Sequence, residues 1–67
     1  MAKIQLNGHK LKLSNKHSIA TLLKKYKINS KKIAVELNSK IVNRNKYKLT
    51  YIKNLDKIEI VHFIGGG

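Results

Sequence analysis

The chain has 67 residues, no cysteine and no proline, and a formal net charge of +12 from 15 basic against 3 acidic side chains. This length admits one domain with a small core, leaves little room for a buried catalytic cleft, and without cysteine excludes disulfide staples. No apolar run approaches the roughly 20 residues of a membrane span, and no continuous apolar stretch marks a signal peptide. The expected setting is the cytoplasm, or an organelle stroma if the gene is plastid-encoded, with no membrane partner.

Fourteen of the 15 basic residues are lysine and one, Arg44, is arginine. Base reading and bidentate phosphate contacts favour arginine. Lysine, isoleucine and asparagine make up 30 of the 67 residues, and all three can be encoded by A and T alone. Nucleotide bias therefore accounts for much of the charge. Lys24, Lys25, Lys27, Lys31 and Lys32 read as a solvated surface rather than a nucleic-acid footprint. The histidines His9, His17 and His62 are scattered, and no spacing resembles a metal site.

Ile4 and Leu6 alternate with Lys3 and Gln5, and Leu11 and Leu13 with Lys10 and Lys12. Asn7-Gly8 lies between, a pair that tolerates the positive φ of a tight hairpin turn. The first 13 residues thus form a β-hairpin with one apolar face. The period then changes. Ile19, Leu22, Leu23 and Tyr26 fall at i, i+3, i+4 and i+7, predicting an amphipathic helix over 18–28. Ser18 is placed to cap it, and Lys24, Lys25 and Lys27 to complement its negative end.

Ile33, Val35 and Leu37 predict a third strand that ends at Asn38-Ser39, and Ile41-Val42 a short edge strand. Residues 43–54 lack clear periodicity and read as turns anchored by Tyr47, Leu49 and Ile52. Lys57 to Phe63 alternate as a last strand, with Ile58, Ile60 and His62 expected inward and Lys57, Glu59, Val61 and Phe63 outward. His62 reads as a packed histidine, and Tyr47 and Tyr51 as core or rim aromatics. Hairpin, helix and strands in this order fit an α+β, β-grasp (ubiquitin-like) fold: a mixed sheet of four to five strands with one helix packed across it.

The chain ends in Gly65-Gly66-Gly67, directly after the last strand. At a glycine frequency of about 7%, three terminal glycines arise by chance about once in 3,000 chains, which weighs against an incidental tail. We read residues 1–64 as the domain and 65–67 as a flexible glycine tail. A tail without side chains can thread a narrow channel into a partner's active site. Its carboxylate, at Gly67, can attack the α-phosphate of ATP, and the acyl-adenylate can be opened by sulfur to a thiocarboxylate. ATP and Mg²⁺ are then used by the activating partner, and the chain itself binds no cofactor and no metal. Val61 and Phe63, outward and adjoining the tail, form a candidate docking patch. No nucleophile–base pair, metal cluster or phosphate loop suggests an independent enzyme.

The stretch Asp56-Lys57-Ile58-Glu59-Ile60-Val61-His62-Phe63-Ile64-Gly65-Gly66-Gly67 resembles the C-terminus of the ThiS family, the sulfur carriers of thiamine biosynthesis. Lys3-Ile4-Gln5-Leu6-Asn7-Gly8, Ala34-Val35-Glu36-Leu37-Asn38 and Ile41-Val42-Asn43-Arg44 extend the resemblance over the whole chain. It departs at Asn43, where proline is common, at Tyr47, where tryptophan is frequent, and at Leu55, where glycine usually precedes the aspartate. These positions bear on loop shape and leave the tail untouched. The resemblance implies a carrier rather than an enzyme. It implies an E1-like adenylyltransferase (ThiF type) and a thiazole synthase (ThiG type) as partners, with a sulfur donor such as a cysteine desulfurase. A carrier for molybdopterin or tRNA thiolation shares the tail chemistry. A small basic RNA-binding module is the alternative from another class.

Overall fold

The computed structural model describes residues 2–63, so the boundary expected at 64/65 lies outside the described residues. Its elements are β1 (Ala2–Leu6), β2 (His9–Leu13), α1 (Ile19–Lys25), β3 (Ile33–Leu37), β4 (Lys40–Val42) and β5 (Lys57–His62). Single 3₁₀ turns lie at Ser30–Lys32 and Arg44–Lys46. The five strands make one sheet in the order β2-β1-β5-β3-β4. β5 is central, parallel to β1 and antiparallel to β3, and the first and last strands are neighbours, as the sequence order implies.

The hairpin turn is the one its residues demand. Asn7 has φ 50° and Gly8 φ 82°, the left-handed pair of a type I′ turn. Register follows, with Ile4 opposite Leu11 and Lys3 opposite Lys12. The apolar set thereby falls on one face and the lysines on the other. Ile4, Leu13, Ile33, Val35, Ile58 and Ile60 from the strands close with Ile19, Leu22 and Leu23 of α1 over a single core.

The helix begins as expected and ends sooner. Ser18 Oγ accepts from the Thr21 N–H at 3.2 Å, and the Ser18 N–H donates to Thr21 Oγ1 at 2.8 Å. This is a capping box with threonine in the acidic partner's place. At the other end Lys27 takes φ 56°. Its N–H donates to the Lys24 carbonyl at 3.1 Å, and the Ile28 N–H to the Leu23 carbonyl at 2.9 Å. That pair of bonds is a Schellman ending. It stops α1 at Lys25 rather than residue 28 and leaves Tyr26 41% exposed instead of in the buried stripe.

A lysine in the left-handed region lacks glycine's tolerance for it. Lys27→Gly should therefore raise stability by about 0.5–1 kcal/mol, read as a higher denaturation midpoint at unchanged m.

The aperiodic segment has a definite task. The Ile19 N–H donates to the Thr50 carbonyl at 2.9 Å and the Ala20 N–H to the Tyr47 carbonyl at 3.0 Å. These carbonyls satisfy first-turn donors that α1 cannot pair internally. Tyr47 and Ile52 are buried, as expected of anchors. Leu49 is not an anchor: at 71% exposure it projects outward from the turn, where its N–H donates to the Lys46 carbonyl. Tyr51 lies at the rim, with Lys16 Nζ 4.8 Å from its ring centroid.

Candidate functional site

The glycines Gly65, Gly66 and Gly67 lie outside the described residues, so the site is described by the strand that leads to them. Two bonds at β5's start involve Asn38: its Oδ1 accepts from the Lys57 N–H at 2.9 Å, and its own N–H donates to the Lys57 carbonyl at 2.7 Å. Asp56 braces the same corner, accepting from the Lys53 N–H at 2.7 Å and the Asn38 amide at 3.0 Å.

At the far end Asn7 takes over where the β1 ladder stops. Its N–H donates to the Ile58 carbonyl at 2.9 Å. Its Oδ1 accepts from the Ile60 N–H at 2.7 Å, and its Nδ2 donates to the Ile60 carbonyl at 3.3 Å. On the other edge Ile33 faces His62, and the Phe63 N–H donates to the Lys32 carbonyl at 3.0 Å. The β3 edge of β5 is thus held to Phe63, the last described residue, and the β1 edge to Ile60. Asn7 was legible in the sequence only as a turn residue; its second role depends on where β5 lies.

Val61 and Phe63 are 54% and 58% exposed. Val61 lies opposite Ala34, and Glu59 opposite Glu36, which in turn faces Ile41 on β4. The solvent face of β5, β3 and β4 therefore combines apolar side chains with two of the chain's three acidic residues. His62 lies opposite the buried Ile33, on the face that alternation assigns it, but it is exposed rather than packed as expected.

No group of three or more histidine, aspartate or glutamate side chains able to hold a metal ion occurs among the described residues. No helix among them is long and apolar enough to cross a membrane.

Comparison with known proteins bears on the chain as a whole. The model of the ThiS family matches residues 3–67. The sulfur carrier protein ThiS of Bacillus subtilis (strain 168) is 38% identical over 65 residues, covering 96% of this chain and 98% of that protein. A thiazole synthase of Paramagnetospirillum magneticum (strain ATCC 700264 / AMB-1) is also 38% identical over 65 residues, covering 97% of this chain. Here the chain spans only 20% of its relative's length. The crystal structure of ThiS from Geobacter metallireducens superposes with a TM-score of 0.84 at 26% identity, covering 97% of this chain and 99% of that one. The five-stranded mixed sheet and its single helix are thus the β-grasp, and the chain belongs to the ThiS family, the sulfur carriers of thiamine biosynthesis.

Proposed function

We propose that the working group of this chain is the carboxylate of Gly67, which a partner enzyme adenylates and converts to a thiocarboxylate for thiazole synthesis. The supporting observation is that the central strand, held on both edges, runs toward Gly65-Gly66-Gly67, with the family match extending to residue 67. A carboxylate oxygen attacks the α-phosphorus of ATP, and pyrophosphate leaves. A persulfide sulfur then attacks the acyl carbon, and AMP leaves. A thiol cleaves the resulting acyl disulfide, releasing the thiocarboxylate and a new disulfide. The partner supplies ATP, Mg²⁺ and charge stabilisation; the chain supplies a reachable carboxylate and is a co-substrate rather than a catalyst.

The activating partner in this reading is an E1-like adenylyltransferase, with sulfur arriving from a donor such as a cysteine desulfurase. The likeness to a thiazole synthase supports a synthase of that kind as the acceptor. The reaction is placed in the cytoplasm or an organelle stroma. Pyrophosphate–ATP exchange by the adenylyltransferase tests the first step. Exchange dependent on this chain, and lost when one residue is added after Gly67, is the expected result; exchange indifferent to the extension contradicts it.

Docking is assigned to the apolar positions beside the tail. Val61→Asp or Phe63→Asp should weaken binding to the adenylyltransferase by about tenfold or more, as expected for an apolar anchor at an interface centre. Both residues face solvent, so melting temperature should stay nearly constant. Calorimetric titration and a thermal melt measure the two effects, and unchanged affinity removes these residues from the interface.

A further inference from the structure

Leu55 is placed against both of the forces that usually position a leucine. Its φ is 72° and its side chain is 74% exposed. It therefore carries the strain of left-handed backbone while burying little apolar surface in the free chain. Its surroundings are specific. The Leu55 N–H donates to the Lys3 carbonyl at 2.7 Å, Lys3 faces Lys12, and Gln5 lies between Lys10 and Lys57. Because Ile4, Leu13 and Ile58 turn to the core, these residues line the sheet's solvent face. Together they border a cleft of about 590 Å³. Four to six strand positions, about 13–20 Å, separate Lys57 from Val61 and Phe63, so the cleft and the docking patch occupy different parts of this face.

We propose that this cleft is a docking site for an acidic segment of a partner protein, with an apolar side chain seated against Leu55 and carboxylates on Lys3, Lys10, Lys12 and Lys57. Charge complementarity selects the class of occupant. All four cations are lysines, point charges suited to carboxylates, and this part of the face offers neither the arginine fork nor the aromatic platform by which nucleic acids are gripped. The exposed leucine, held in place by strained backbone, supplies the contact that a purely electrostatic patch would lack. The site is independent of the sulfur chemistry, and either can fail without the other.

The test is an NMR titration of the full ¹⁵N-labelled chain with a blocked Asp-Glu-Phe-Glu-Asp peptide. The same peptide with alanine for phenylalanine and a short oligouridylate serve as comparisons. Saturable shifts centred on Lys3, Gln5, Lys10, Lys12, Leu55 and Lys57 are expected, with a dissociation constant of about 1 mM or tighter. The alanine peptide should bind several-fold more weakly, and reversing two charges in K10E/K12E should cost about tenfold or more.

Leu55→Gly separates docking from folding. It relieves the backbone strain, so the melting temperature should rise by roughly 4–8 °C, while peptide affinity falls several-fold. Equal binding of the alanine peptide, unchanged affinity of Leu55→Gly, shifts elsewhere on the surface, no saturable binding, or tighter binding of the oligouridylate would each overturn the proposal.

Discussion

Ile58→Ala should remove about 2–5 kcal/mol of stability, the cost of deleting buried aliphatic volume where the surroundings relax only partly. Ile58 is 1% exposed and occupies β5, between β1 and β3. It faces Leu6 on one neighbour and Leu37 on the other. A domain of this length holds in total only about 3–10 kcal/mol, so one cavity at the centre takes a large share of the whole. The loss should appear in urea unfolding as a midpoint lowered by more than 1 M at unchanged m, taking m as about 1–2 kcal/mol/M. A loss below about 1 kcal/mol would mean that the core is not closed around β5.

The same centrality explains what could be read from the residues alone. The hairpin was legible because Asn7-Gly8 fixes its turn and the lysine–apolar alternation fixes its register. The start of α1 was legible in Ser18 and the i, i+3, i+4 spacing. Its end was not, because no glycine marks it: Lys27 takes the left-handed position instead. Leu49 and His62 were misplaced for related reasons. Hydrophobic character does not tell which way a turn points, and strand alternation tells which face a residue shares but not whether the core encloses it.

The site divides in the same way. Val61 and Phe63 were legible as outward residues because alternation in a strand is local. The bracing of β5 by Asn7 and Asn38 was hidden, since it depends on contacts between residues more than 18 positions apart. The division of the solvent face, with lysines around Leu55 and Glu36 opposite Glu59, was hidden too. It emerges only when strand order brings residues from four strands onto one surface.

Adding a single residue after Gly67 should abolish sulfur loading, the second large effect expected. The reacting oxygen must lie in line with the α-phosphorus, and displacement by about 1 Å can already cost roughly 100-fold. One extra residue shifts the carboxylate by up to about 3.5 Å along an extended chain and places an amide where the nucleophile belongs. Replacing Gly66 by tryptophan should also impair loading, through the width of the partner's channel. Neither change touches the described core, so both variants should keep the parent melting temperature, and a shift of several degrees would point to a folding defect instead.

Sulfur transfer to Gly67 is best tested by intact-mass spectrometry of the chain after incubation with ATP, Mg²⁺, its adenylyltransferase, a persulfide donor and a thiol. The native chain should gain the mass difference of one sulfur replacing one oxygen, fragmentation should map the gain to Gly67, and the extended chain should gain nothing. Sulfur appearing equally on native and extended chains, or on neither, would contradict it.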